Sequence, residues 1–209
     1  MESFKALLDN NRKWAAEMVA EDPEFFKRTE GSQQPTFLIV GCSDSRVPLE
    51  KMTGAQPGEI FVHRNIGNQV WSTDINILSV LTYAVHVLDV PHVVVCGHTN
   101  CGALKAALGP ETNGLVDHWL SDVRNTIRWH RDELDPITDP SEKVSKLSDL
   151  NVLQQLGILS RTPVIRDAWA RGKRPMLHGW VYDIATGLIH TVVDGIDSDE
   201  KAKQVLPTN

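Results

Sequence analysis

The chain has little of what would let it stand on cross-links, cross a bilayer or follow a nucleic-acid backbone. Only three of its 209 residues are cysteine, an odd number in a chain that lacks secretory features. A disulfide framework is therefore excluded, and reduced thiols or metal ligands are expected. No apolar stretch reaches the ~18 residues of a membrane span, because Asp or Lys interrupts each long run. The formal net charge is -6 with both signs dispersed, and no basic block is long enough to track phosphates, so nucleic acid is excluded as a partner. The opening "MESFKALLDNNRKWAAEMVAEDPEFF" lacks the continuous apolar centre of a signal peptide and reads as an amphipathic surface helix. Internal repeats, low-complexity tracts and long linkers are also missing. A single domain over 1-209 that includes an N-terminal helical arm, in a cytoplasmic protein, is the expectation. No G-x-G-x-x-G opens a helix after a strand, which argues against a dinucleotide-binding domain.

What is present is an alternation of short apolar runs and helical periodicities. "PTFLIV" reads as a buried strand ending at Gly41, "EIFVHRNIGNQV" as a strand with a glycine-containing turn, and "HVVVCGH" as another buried strand. Between them, "TDINILSVLTYAVHVLDV" repeats apolar residues at helical spacing, with Thr73 or Asp74 as cap and Pro91 as terminator. "GLVDHWLSDVRNTIRWH" and "SKLSDLNVLQQLGILSRTPVIRDAWARG" read as helical, and "RPMLHGWVYDIATGLIHTVV" as two strands joined near Thr186 and Gly187. The tail "DSDEKAKQVLPTN" is expected to pack weakly. Strands alternating with helices imply an α/β fold with a mainly parallel central β-sheet flanked by helices.

Three soft ligands follow these strands. Cys42 stands behind "PTFLIVG", and His98 and Cys101 lie in "CGHTNCG". The carboxyl ends of parallel strands line the crevice of an open α/β sheet, so residues distant in sequence meet there. The His-x-x-Cys spacing brings two side chains to one ion and Cys42 adds a third from another strand. Three protein ligands with an open position are the catalytic rather than the structural pattern of Zn2+. An iron–sulfur cluster normally takes four cysteines, whereas two thiolates with an imidazole favour zinc. Isolated buried cysteines and histidines are more often simple core residues, but three at matching strand ends weaken that explanation. Cys96, inside "VVVCG", is better read as a packed, inert thiol. Asp44 and Arg46, in "CSDSR", read elsewhere as a surface ion pair. Beside Cys42 they become a carboxylate that accepts a hydrogen bond from the nucleophile and a guanidinium that fixes it.

"CSDSRVP", "PGEIFVHRNIGN" and "CGHTNCGAL" together resemble the β-class carbonic anhydrases, and "LHGWVYD" extends the likeness over most of the chain. The resemblance implies zinc on Cys42, His98 and Cys101, a dyad of Asp44 and Arg46, and reversible hydration of carbon dioxide to bicarbonate. It also implies a homodimer or homotetramer, with Gln33 of one subunit serving the substrate of another. Val47, Phe61, Ile66 and Gly67 are candidate walls of the substrate pocket. The likeness is to bacterial members whose site closes when Asp44 replaces water on zinc, and Arg64 and Tyr182 match their inhibitory bicarbonate pocket. Ile39 stands where that pocket expects tryptophan, Gly67 where alanine is usual, Ala103 where a second glycine often follows, and the C-terminal region is shorter. Two thiolates make zinc a weaker electrophile than three imidazoles do, so an alkaline activity optimum is expected.

Two other functions fit the same residues. Carbonyl sulfide hydrolase chemistry would use the same zinc hydroxide, and Gly67 and Ile39 are the changes that motivate it. A zinc-stabilised interaction module without catalysis would need only the metal, and the presence of both Asp44 and Arg46 argues against it. His63, His86, His92, His118, His130, His178 and His190 are not ranked as proton shuttles by their spacing.

Overall fold

Leu38 to Gly41 are all buried in the strand β1 (Phe37–Cys42), as expected of a continuously apolar strand covered on both faces. The computed structural model describes residues 4–111, 114–172 and 174–207. The remaining strands are β2 (Ile60–Asn65), β3 (His92–His98), β4 (Met176–Tyr182) and β5 (Ile189–Ile196). They form one sheet in the order β2-β1-β3-β4-β5. The first three pairings are parallel and β4 with β5 is antiparallel, so the α/β, mainly parallel expectation holds. The parallel register of β1 and β3 pairs Gly41 with Cys96, which sets Cys42 and His98 at the same, carboxyl, end of the sheet.

The helix Ile75–Thr82 starts on Asp74, whose carboxylate accepts from the Asn76 amide at 2.9 Å, filling one of the orphan donors of the first turn. It continues as a π-helical segment, Tyr83–Val87. The chain turns at Asp89, φ 51°, before Pro91 is reached. The helix Pro140–Ser160 is the longest in the sheet-bearing unit. Asp139 accepts from the amides of Ser141 and Glu142 at 2.8 and 2.9 Å, with Pro140 in the first turn. It packs on β3 and β4 at unusually close range: a Cβ on Gly179 would stand 2.7 Å from Val152 Cγ1, and one on Gly97 2.9 Å from Val152 Cγ2. Those two glycines allow the approach that buries Val152, Leu156 and Leu159 against Val93, Val95 and Val181. Each such side chain contributes about 1.5–3 kcal/mol.

Two expected helices are each interrupted. The 114–130 stretch divides at Leu120 into Leu115–Trp119 and Ser121–Trp129. The later one ends at Ser160, and Thr162 caps a new helix, Pro163–Ala170, because Pro163 cannot extend the preceding turns. The tail corrects another expectation: Asp199–Val205 is helical, with Ser198 as its cap, and Ala202 and Leu206 are buried in the main core. Apolar residues four apart bury together on one helical face; Thr208 and Asn209 lie outside the described residues.

The chain divides into two compact units, one through Gln34 and one from Pro35 onward. The first consists of the helix Phe4–Glu21, none of whose residues is buried, and a short turn of helix at Lys27–Glu30. Trp14, Phe25 and Phe26 meet edge to face within it, at centroid distances of 5.0–6.3 Å. Among the described residues, no helix is long and apolar enough to cross a membrane.

Candidate metal centre

Cys42 ends β1 and His98 ends β3, while Cys101 sits three residues beyond His98 and immediately before the helix Gly102–Leu108. The turn between them passes through Asn100 at φ 57°, a left-handed conformation that asparagine tolerates well. The three ligand atoms lie within 4.8 Å of one another and all three residues are buried. The two sulfurs are 4.0 Å apart. Two thiolates at ~2.3 Å from one tetrahedral zinc stand roughly 3.8 Å apart, so the spacing fits.

His98 supplies the sharper test. Its Nδ1 lies 2.9 Å from the Thr99 carbonyl, which only accepts, so Nδ1 carries the proton and donates. The lone pair is thereby left on Nε2, a buried atom with no hydrogen-bond partner. An unpaired buried polar atom costs roughly 1–3 kcal/mol, and a cation between Nε2 and the two sulfurs relieves it. An orienting carbonyl on the second ring nitrogen is the usual support of a metal-binding histidine.

The electrostatics around the cysteines agree. Cys42 is driven well below the ordinary thiol range, first by a hydrogen bond with the Cys101 thiol and further by backbone N–H groups, against the opposing effect of burial. Cys101 is driven up by the same contact with Cys42 and by burial, with the Leu104 and Ala103 N–H groups opposing. One thiolate therefore forms readily and the second needs a cation. Cys96 has no such environment. Burial pushes it up to about 12, and it packs as a neutral thiol with Ile39, Val47, Leu49 and Val94.

Asp44 and Arg46 form a two-pronged pair, Nε to Oδ1 at 2.9 Å and Nη2 to Oδ2 at 2.7 Å. The Arg46 amide adds a third donor to Oδ1 at 3.0 Å, and Nη2 also reaches the Asn100 carbonyl at 3.2 Å. The Arg46 guanidinium holds Asp44 far below the usual carboxylate range, despite burial. Asp44 Oδ2 lies 3.8 Å from His98 Nε2, beside the cluster.

The other candidates are more dispersed. Gly67, at φ 76°, follows β2 two residues after Asn65, which pairs with Cys42 in the register of β1 and β2. Ile66 is exposed, whereas Phe61 is half-buried and stacks on Tyr83 at 5.9 Å. Val47 is fully packed against Leu49. Gln33 is exposed within the N-terminal unit. Sequence reading named Arg64 only for a bicarbonate pocket and missed its bracing role, along with a buried amide network. Arg64 donates to the carbonyls of Cys42 and Asp44 at 2.9 and 2.7 Å, bracing the loop. Gln69, Asn151 and Gln155 form a buried amide network against Gly67. Ser148, Asn151 and Gln155 recur at helical spacing among leucines, which is the one signal that would have revealed the polar stripe.

Fold and site together define an α/β protein whose sheet carries, at the carboxyl ends of its parallel strands, a cysteine–histidine–cysteine cluster able to hold a metal ion. The carbonic anhydrase family model matches residues 37–189. A carbonic anhydrase of Emericella nidulans is 42% identical over 183 residues, covering 88% of this chain and 80% of its own length. Among solved structures, a Coccomyxa β-carbonic anhydrase in complex with acetazolamide superposes with TM-score 0.94 at 39% identity, over 99% of this chain and 93% of that one. One of two tetrameric β-carbonic anhydrases from Sordaria macrospora gives 0.89 at 41%, over 94% and 100%. The chain belongs to the carbonic anhydrase family, in its β class.

Proposed function

We propose that the protein catalyses CO2 + H2O ⇌ HCO3− + H+ with Zn2+ held by Cys42, His98 and Cys101. The observation that carries this reading is His98 Nε2, buried, unpartnered and within reach of two thiol sulfurs. Held there, zinc would supply a Lewis acid that lowers the pKa of water far below its bulk value and makes hydroxide available, less strongly than on three imidazoles because two of its ligands are thiolates. Asp44 stays ionised because both of its oxygens take donors from Arg46. It therefore accepts a hydrogen bond from the incoming nucleophile and sets its direction, without taking its proton as a strong base. Arg46, tied also to the Asn100 carbonyl, links the Cys42 loop to the turn before Cys101. Ile66 and Gly67, on the loop beside Cys42, are the best placed of the apolar wall residues for a small linear substrate. Val47 and Phe61 act from behind by packing.

Carbonyl sulfide is not favoured. The two residues that motivated it have packing explanations: Gly67 occupies a left-handed turn where a Cβ would come 3.3 Å from Ala103 Cβ. Ile39 packs with Val94 and Cys96, in a different cluster from Cys42 and Cys101.

The reading extends to a homodimer or homotetramer in which Gln33 serves a second copy's site. Exposed Ile75, Tyr83 and Val87 on one helical stretch, and Phe4, Leu7 and Leu8 on the N-terminal helix, supply apolar surface for it. Three free, buried thiols suit a reducing cytoplasm. The test is to strip zinc with a chelator, restore it stoichiometrically, and follow carbon dioxide hydration and carbonyl sulfide hydrolysis on one preparation of measured solution mass. Hydration should vanish and return with one zinc per chain. A metal-independent rate, or sulfide release exceeding hydration, would overturn the reading.

A further inference from the structure

Resting on the zinc reading above, we propose that Thr99 is a positioning residue for His98. Its hydroxyl ties the turn after β3 to the turn after β4, which keeps the Thr99 carbonyl on His98 Nδ1 and the Nε2 lone pair free for the metal. The bond to be held runs from Nδ1–H to that carbonyl, at 2.9 Å. The carbonyl lies in the peptide unit between Thr99 and Asn100, and the units on both sides of it are pinned by residues distant in sequence. In the unit before, the His98 carbonyl shares the Ser148 hydroxyl with that of Val144, at 3.0 and 2.9 Å, and the Thr99 N–H donates to the Tyr182 carbonyl at 2.9 Å. In the unit after, the Asn100 carbonyl accepts from Arg46 Nη2 at 3.2 Å.

The Thr99 side chain supplies the remaining restraint. Its Oγ1 accepts from the Ile184 N–H at 3.1 Å and donates to Asp183 Oδ1 at 3.5 Å. Asp183 is anchored in turn by the N–H groups of Ala185 and Thr186, at 2.7 and 3.3 Å, in the connection between β4 and β5. A β-branched side chain is stiff at χ1, so holding Oγ1 also holds the backbone that carries the carbonyl. The orientation matters because a neutral imidazole can carry its proton on either nitrogen, and the partner of one nitrogen decides which lone pair the other offers. Without the hydroxyl the 99–100 peptide is freer to rotate, Nδ1–H exchanges its carbonyl for water, and His98 grips the ion less firmly. Thr99 acts on the metal only through His98.

The experiment compares zinc-loaded wild type, Thr99→Val and Thr99→Ser. NMR of protein labelled with 15N at histidine reads the His98 Nδ1–H and its exchange with water, and a chelator reads metal retention. Wild type should show a slowly exchanging Nδ1–H. Thr99→Val keeps the β-branch but loses the hydroxyl. It should exchange that proton faster and retain zinc about 10-fold less well against the chelator. Thr99→Ser keeps the hydroxyl and should follow wild type in both. Wild-type exchange and retention in Thr99→Val would overturn the proposal, as would a Thr99→Ser as impaired as Thr99→Val. Should Thr99→Val not fold, Asp183→Asn, which keeps an acceptor in the turn but removes its charge, should speed the exchange by a smaller factor, and an unchanged rate there counts against the proposal. Zinc-loaded wild type with the His98 proton on Nε2 would overturn this proposal alone. Wild type that retains no zinc would overturn the zinc reading itself, and this proposal with it.

Discussion

Strand β3 begins and ends with histidine, and the two ends make opposite use of it. At the amino end, His92 Nδ1 meets His178 Nε2 at 3.0 Å, His178 Nδ1 meets Asp194 at 2.6 Å, and Phe37 stacks on the His92 ring at 5.2 Å. The rings have found protein partners, and the result is a tie across β3, β4 and β5. At the carboxyl end, His98 Nδ1 is satisfied by Thr99 while Nε2 is buried beside two thiols with nothing to bond. Residue type does not distinguish a structural histidine from a functional one. The difference is a coordinating atom that the fold has desolvated and left for something else to fill.

The largest break in that comparison comes from removing a sulfur. Cys42→Ala leaves His98 and Cys101 as a two-ligand site, so purified protein should carry almost no zinc and hydrate carbon dioxide at the background rate. His92→Ala should retain full zinc and kcat. Metal content by atomic emission checks both, and equal zinc losses in the two variants would erase the distinction between the ends of β3.

Asp44→Asn separates holding the metal from using it. The amide keeps the shape but loses the charge, and it presents a donor where the carboxylate accepted. Hydration should fall about 10²-fold, the cost of a misdirected nucleophile, with zinc content unchanged. Stopped-flow rates on protein of measured metal content decide this; a loss of zinc in parallel with rate would mean that Asp44 chiefly stabilises the cluster.

A smaller effect is expected at Gly67. Gly67→Ala places a Cβ on a backbone at φ 76° and 3.3 Å from Ala103 Cβ. The conformational part alone costs about 1–2 kcal/mol, so the midpoint of denaturant unfolding should fall. Metal retention should fall with it, since the displaced turn follows Asn65, the residue that pairs with Cys42 across β1 and β2. Gly54→Ala has the same sign of φ, 71°, and open space around its Cβ. It should show the conformational part of the stability loss while leaving metal retention alone.

The contrast between the two ends also shows what the sequence could reveal. The buried strands, the α/β alternation and the ligand set Cys42, His98, Cys101 were legible because each depends on local pattern: apolar runs, a turn glycine, and a His-x-x-Cys step after a strand. The Asp44 and Arg46 pair was legible for the same reason, being two residues apart. What stayed hidden depends on tertiary register. Trp119 reaches Ile66 across 53 positions and Arg64 reaches Cys42 across 22, and no periodicity links them. The His92, His178 and Asp194 tie was invisible until β3, β4 and β5 were laid side by side. The buried C-terminal helix was misjudged because its charged residues dominate the composition, while only Ala202 and Leu206 face the core.

The last prediction concerns the structural end and pH. Burial lowers the His92 pKa first, the His178 and Arg174 charges lower it further, and Asp194 opposes them. The folded state therefore resists protonation there more than the unfolded chain does, whose histidines titrate near ~6.5. As pH falls through that value the unfolded chain takes up the proton first and stability drops. The drop stops once pH passes below the depressed folded pKa, where both states are protonated. His92→Gln removes this contribution, so its unfolding free energy should fall less between pH 7 and pH 5 than that of the wild type. Denaturant titrations across that range check it. The cysteine site also loses metal in acid, so they should be run at saturating zinc and repeated on the Cys42→Ala background. There, with the metal site removed, the proteins with and without the His92→Gln substitution should still differ in slope with the same sign. Parallel slopes on that background would place acid sensitivity wholly at the carboxyl end of β3.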